Sequence, residues 1–350
     1  MPRPRSAVIL TVLGVLILIA AAALRFYVVP SVSKLPNSLD VTNRYEGTGT
    51  LLNPAALASG DTAHAVASGV PVTLDRHTFV SNHDGETAIV HDDFTVHAPG
   101  GISLPTNHVY AVDRKSMDAA AAPADTQVEA HHGMTIGLPM HPDPDAGYQL
   151  YDFATGSTVP MNFSGASTIS DRKVQNYSIH AAGALRDPAI LAGLPASLPK
   201  AQLASLAPLL PADLRTKIGA AAPAMPDPVP LTYTADSKIG LSIDNSLGTP
   251  VDGTLAMQVV ANVGIAGEPV AVMPVMALDT KLTPTSVSKA ASSAASASRM
   301  LTIASVVAPL VLLVLGVILL GLGVRRWTRS QSTLPPIQGT ESSRASSAAH

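Results

Sequence analysis

The sequence predicts a mainly β protein, a sandwich-like or two-sheet domain with a short helical insertion, flanked by two transmembrane helices. Three observations predict it. Two long segments, one near each end, carry no charge. The 270 residues between them alternate short apolar stretches with Gly, Pro, Asn and Asp. Charged residues make up only 13% of the chain, although the middle is strongly acidic.

The first apolar segment runs from Ala7 to Leu24 and resumes with Phe26, Tyr27, Val28 and Val29. The second runs from Met300 to Val324. About 20 apolar residues span a hydrocarbon layer as helix. Arg3 and Arg5 precede the first segment; Arg325, Arg326, Trp327 and Arg329 follow the second. Basic flanks stay in the cytoplasm, so both termini are expected there and the middle outside it. The first segment also fits a cleaved signal, with Ala21-Ala22-Ala23 as the cleavage pattern. Its apolar run continues past the alanines, which favours an uncleaved anchor. The expected organisation is a cytoplasmic start (1–6), a span (7–29), a β-rich extracytoplasmic domain (30–284), an Ala/Ser linker (285–299), a second span (300–324) and a disordered cytoplasmic tail (325–350). The setting is the inner membrane, crossed twice. Ala304 and Ala308 form a small-xxx-small pair suited to helix contact.

Residues 30–299 carry 15 Lys and Arg against 24 Asp and Glu. That net of −9 argues against nucleic acid, which needs clustered cations to displace counterions. With no cysteine, disulfides and thiolate chemistry are excluded.

Within the middle, 71–97 reads as a hairpin turning at Asp84-Gly85, a favoured two-residue turn. That turn sets Arg76 opposite Asp93, His77 opposite Asp92, Phe79 opposite Val90 and Val80 opposite Ile89. Further strands are expected at 107–113, 167–180, 231–234, 238–243, 254–263 and 269–278. Val109–Asp113 and Val275–Asp279 resemble each other, as two related β units (40–185 and 226–284) would require. Between them, 187–225 is cut by prolines into short pieces, with helices expected at 200–207 and 212–218.

Chemistry is sparse. Ten of the 11 histidines lie between His64 and His180. His131, His132, His141 and Asp143 form the tightest group, but they sit in a Gly/Pro-rich stretch without helical ligand spacing. His91, Asp93, Thr95 and His97 share one strand face. Asp92 and Asp93 point to opposite faces and cannot act as one acid–base couple. Asp113-Arg114 and Asp171-Arg172 read as surface or turn pairs. There is no Gly-x-Ser-x-Gly elbow and no phosphate-cradling loop. No catalytic, cofactor or metal residue is assigned, and no enzyme is expected.

Several stretches, taken in order, resemble the PorA-like family of mycolic-acid-containing actinobacteria and their relatives. They are Tyr27-Val28-Val29-Pro30, Leu35-Pro36, Leu39-Asp40-Val41-Thr42, Glu46-Gly47-Thr48-Gly49-Thr50, Ala111-Val112-Asp113-Arg114, Gly133 to Leu138-Pro139, and Tyr148 to Tyr151-Asp152. Where the family often has an aromatic before the proline, this chain has Leu138. The resemblance implies a cell-envelope protein, and the family name implies channel formation. No catalytic residues come with it. The expected role is therefore non-enzymatic: a two-pass protein presenting its β domain for binding, scaffolding or sensing. Its partners would be the lipid bilayer and an envelope lipid, glycan or protein. The alternatives are an oligomeric channel and, more weakly, an anchored hydrolase.

Overall fold

The computed structural model describes residues 5–53, 56, 59–61 and 64–331. The expected cytoplasmic start and Ser-rich tail fall partly outside them. The chain divides into two units: Met1–Ser31 with Met300–His350, and Val32–Arg299.

The first unit is helical. Helix α1 (Arg5–Ala23) continues through a π-helical turn (Leu24–Val28) into α2 (Val29–Val32). Near the other end, a π-helical turn (Ile303–Val307) leads into helix α7 (Ala308–Gln331). Both π-turns end two residues before a proline, Pro30 and Pro309. A proline ring collides with the carbonyl four residues earlier. Those carbonyls belong to Phe26 and Ser305, each inside a π-turn, where the wider helix makes room.

The second unit is mainly β. Its strands are β1 (Asp40–Leu52), β2 (Val66–Asp84), β3 (Thr87–Ala98), β4 (Ile102–Asp113), β5 (Gln149–Asp152), β6 (Ser157–Pro160), β7 (Asn162–Ile169), β8 (Arg172–Ala184), β9 (Ser197–Leu198), β10 (Val229–Asp244), β11 (Pro250–Ile265) and β12 (Glu268–Leu282). Ten of them form one antiparallel sheet, ordered β4-β3-β2-β1-β12-β11-β10-β8-β7 with β9 beside β10; β5 and β6 pair separately. A sandwich of two comparable sheets is therefore not what the chain builds. Ten antiparallel strands do not stay flat, because strand twist accumulates and curls the sheet. Val90 and Tyr110 near one edge accordingly share a core cluster with Ile179 and Ile243 near the other. Met134, Leu138 and Leu150, from the segment after β4, fill the space between.

From edge to centre the sheet reads β4-β3-β2-β1, and then β12-β11-β10-β8. Each half is a four-stranded meander in the same order. Val109–Asp113 and Val275–Asp279 lie in the last strand of each. Strand β8 pairs with β10 and so sits in the second meander.

Four local expectations change. The β2–β3 turn is Gly85-Glu86, flanked by the pair Asp84↔Thr87, and a bulge follows between Val80 and Asn82. The pairs are therefore Arg76↔Phe94, His77↔Asp93, Phe79↔His91 and Val80↔Val90. The stretch 167–180 is not one strand: it breaks at Ser170-Asp171, both with positive φ, into β7 and β8. Conversely, 231–243 is a single strand. The insertion holds α3 (Pro188–Ala192), α4 (Lys200–Ser205) and α5 (Ala212–Ala221). Leu203, Leu210 and Ile218 of the insertion bury Val263 and Val272 of the sheet. The Ala/Ser segment expected as a linker is helix α6 (Pro284–Thr302), with Ala291 packed on Val174 and Val251.

Candidate functional site

Two places stand out: the helix pair of the first unit and a buried polar cluster in the second. Helices α1 and α7 pack antiparallel through small residues spaced seven apart. Ala7, Gly14 and Ala21 are buried on α1, and Gly316 and Gly323 on α7. A Cβ on Gly14 would sit 2.9 Å from Leu320 Cγ, and one on Gly316 2.7 Å from Leu18 Cδ2. A Cβ on Gly323 would sit 2.5 Å from Thr11 Oγ1. Close backbone approach of this kind is what small residues permit between apolar helices. The contact uses Gly316 and Gly323 on α7. The large side chains point outward, Phe26 and Tyr27 at 73% and 80% exposure. In this register Trp327 lies level with Ala7. Tyr27, in the π-helical turn that continues α1, lies twenty residues further along the chain, about 30 Å at 1.5 Å per residue. Aromatic rings at that separation match the two faces of a hydrocarbon layer. Both helices are long and apolar enough to cross a membrane.

In the β unit, alternation turns Arg76 and Asp92 inward. Arg76 Nε and Nη2 donate to the two Asp92 oxygens at 2.7 Å each, and Nη2 also donates to the Thr135 carbonyl at 3.3 Å. Thr78 donates to Asp92 at 2.9 Å. The guanidinium lies 5.1 Å from the centre of the Phe94 ring. Burial works against its charge, but Asp92 outweighs burial and holds the Arg76 pKa above its ordinary value. The pair borders a cavity of about 70 Å³ walled by Tyr45, Leu74, Tyr110, Leu150, Met161 and Ile243, among others. Burial raises the pKa of Tyr45 and of Tyr110, so both phenols stay neutral. Sites for drug-sized ligands run to roughly 300–1,000 Å³. This cavity suits a few water-sized groups. In the sequence Asp92 reads as the cross-strand partner of His77 and as half of an unworkable couple; the sign of its role is Arg76 at the matching phase of the facing strand.

A second buried group lies on β4. His108 is 2% exposed; its Nδ1 is 2.9 Å from Glu129 Oε1, and its Nε2 is 3.5 Å from Asp187 Oδ2. The rings of Phe94, Tyr110 and Phe153 surround it. Of the histidines considered for metal binding, His131 is buried against Tyr110, with Nδ1 3.2 Å from the Glu129 carbonyl. Burial lowers its pKa. His132, His141 and Asp143 are exposed. Among the described residues, no three His, Asp or Glu side chains converge as a metal site. His91, Asp93 and Thr95 do lie on the face opposite Asp92 and Phe94.

Two arginines expected at the surface are instead structural. Arg114 is 6% exposed; its Nε and Nη2 donate to the Leu35 carbonyl at 2.9 and 2.7 Å, while Leu35 N donates to the Arg114 carbonyl. Arg172 grips the fully buried Asp244 at 2.7 and 2.9 Å. Burial pushes Asp244 up, but Arg172 and the amides of Ser246 and Leu247 together hold it below the usual carboxylate range.

The stretches that carry the family resemblance lie at joints of this kind. Leu35-Pro36 is bound by Arg114. Gly47 lies on the β1–β12 seam, where a Cβ would strike the Asp279 carbonyl. The Leu138 amide donates to the Gly248 carbonyl at 2.8 Å, and a Cβ on Gly248 would strike the Leu138 and Pro139 carbonyls. Met134, next to Gly133, exchanges backbone hydrogen bonds with Gln149 and Tyr151. These stretches assemble the unit rather than present reactive groups.

No curated protein matches the chain. Among solved structures, an acyl-CoA thioesterase II (TesB2) from Mycobacterium marinum aligns at 13% identity, covering 70% of this chain and 80% of that one, with a TM-score of 0.13. The dehydratase domain of RzxB from Pseudomonas fluorescens aligns at 10% identity over 69% and 76%, with a TM-score of 0.11. Scores that low carry no argument about fold or activity. The Porin PorA family, by contrast, matches residues 6–325, nearly the whole chain, and the protein belongs to that family.

Proposed function

We propose that this chain is a non-enzymatic, two-pass protein of the cell membrane and envelope. Its β unit lies outside the cytoplasm, where it binds, scaffolds or senses an envelope lipid, glycan or protein. The observation that carries this reading is the helix pair. Its antiparallel packing brings Arg5 to the same end as Arg325, Arg326 and Arg329, and the positive-inside rule assigns that end to the cytoplasm. The acidic residues 30–299 then face the other side. A cavity of about 70 Å³ is too small for a lipid or glycan, so recognition on this reading takes place at the surface. The test uses the cysteine-free background. Asn82→Cys should react with an impermeant thiol reagent on intact cells, and Ser342→Cys should not. The reverse pattern rejects the orientation.

A second reading, an oligomeric channel, is favoured by the family. Small residues close the two helices onto each other, so a pore would have to form between copies. The −9 charge of residues 30–299 would draw cations to its mouth. Reproducible unit conductance in planar bilayers, lost on deleting residues 300–324, would establish this reading over the first.

A further inference from the structure

His108 sits where three distant segments meet. It belongs to β4. Glu129 comes from the long segment after β4, whose backbone amide donates to the Val109 carbonyl at 2.8 Å. Asp187 opens the insertion and caps α3, with Oδ1 accepting from Ile190 N at 2.6 Å. Both imidazole nitrogens therefore face a carboxylate, at 2.9 and 3.5 Å. His108 Nε2 and Asp187 Oδ2 are buried and, among the described residues, have no hydrogen-bond partner. They have only each other.

That arrangement demands protons. A neutral imidazole has one N–H and one lone pair. Whichever nitrogen lacked the proton would aim its lone pair at a carboxylate, half-exposed Glu129 or buried Asp187, a repulsive contact for a ring that is itself buried. With both nitrogens protonated, each N–H meets an oxygen. The other charges nearby are committed elsewhere: Asp92 to Arg76, and Asp152 to the amide and hydroxyl of Thr155. Tyr110, stacked on the ring, stays neutral. Helix α3 contributes no ionisable side chain.

We propose that His108, Glu129 and Asp187 form a proton-operated latch. It holds the start of the insertion and the Glu129 segment against β4, closed when the imidazole carries two protons and released when it loses one. The direction follows from the charges. Burial disfavours the imidazolium, but Glu129, Asp187 and Asp92 more than offset it, so His108 titrates above its ordinary value. A raised pKa gives stability that is fully present below the unfolded value, about 6.5, and lost as pH rises through the folded one. Glu129 is half-exposed and supplies the route to solvent.

The test uses the full chain in detergent with labelled histidine, the His108 signal being assigned by its loss in His108→Gln. Wild type should titrate above about 6.5. Amide protection over residues 190–194, corrected for intrinsic exchange, should fall through the same midpoint. Asp187→Asn keeps the helix cap, because Asn caps as well as Asp. It should lower the midpoint by about one unit and carry the protection change with it. His108→Gln should show reduced protection at every pH; if it does not fold, the His108 signal is assigned as the one whose midpoint moves in Asp187→Asn, which then decides by whether the protection change moves with it. A His108 midpoint at or below the ordinary value overturns the latch. So does protection that stays constant through the midpoint.

Discussion

Replacing Asp92 by Asn tests whether the Arg76–Asp92 pair is the electrostatic keystone of the β unit. The change keeps volume and removes one charge. Asp92 accepts three hydrogen bonds of 2.7–2.9 Å, and its side chain is 5% exposed against 16% for Arg76. The introduced side-chain amide would turn an N–H toward a donor that the carboxylate had accepted, leaving the guanidinium buried and uncompensated. Breaking such a pair costs about 3–5 kcal/mol. For a unit of this size each kcal/mol shifts the midpoint by about 2–4 °C, so a fall of about 6–20 °C is expected. The assay is thermal unfolding of the full chain in detergent, followed by the β signal in far-ultraviolet circular dichroism. The double variant Arg76→Met, Asp92→Leu removes both charges and should recover most of the loss, since apolar replacements of buried pairs are often neutral or stabilising. A single variant within about 2 °C of wild type, well short of that range, would refute the reasoning. So would a double variant less stable than the single.

Three further outcomes follow from the geometry. Thr11→Cys with Gly323→Cys should form an intramolecular disulfide in isolated membranes, because the two positions are in contact; failure to cross-link would reject the antiparallel pair. Arg172→Met should make the β unit more sensitive to acid. Asp244 is held low, so its stabilisation is present above about pH 3.9 and lost as pH falls through its folded value. Without Arg172 that value rises and acid unfolding begins at higher pH; an unchanged acid limb, followed by circular dichroism, would contradict this. Gly47→Val should split the β1–β12 seam, because its Cβ meets backbone rather than a movable side chain. Loss of amide protection in residues 278–282 reports it, and wild-type protection there would show that the seam can shift.

The sequence by itself determined the layout: two apolar helices, a mainly β middle, short helices expected at 200–207 and 212–218 and found at Lys200–Ser205 and Ala212–Ala221, and the family. Those features are local. A charge-free run of helical length, a period of two or a proline acts through its immediate neighbours and can be read without knowing what packs against it. Family motifs were legible for the same reason, since Gly47, Gly133 and Leu138-Pro139 mark local backbone needs in order along the chain. Tertiary structure decided everything that depends on which strand lies beside which. A bulge at Val80–Asn82 moved the β2–β3 register, and curling of ten strands replaced the expected sandwich. Arg114 and Arg172 read as surface residues because nothing nearby in the chain accepts them. Their acceptors are Leu35 and Asp244, 79 and 72 residues away. His108 lacked any signal in sequence, because its two carboxylates come from segments 21 and 79 residues distant. Hydrophobic pattern fixes which face of a strand is buried, but the pairing of charges inside that face is settled only when the sheet closes and water is excluded.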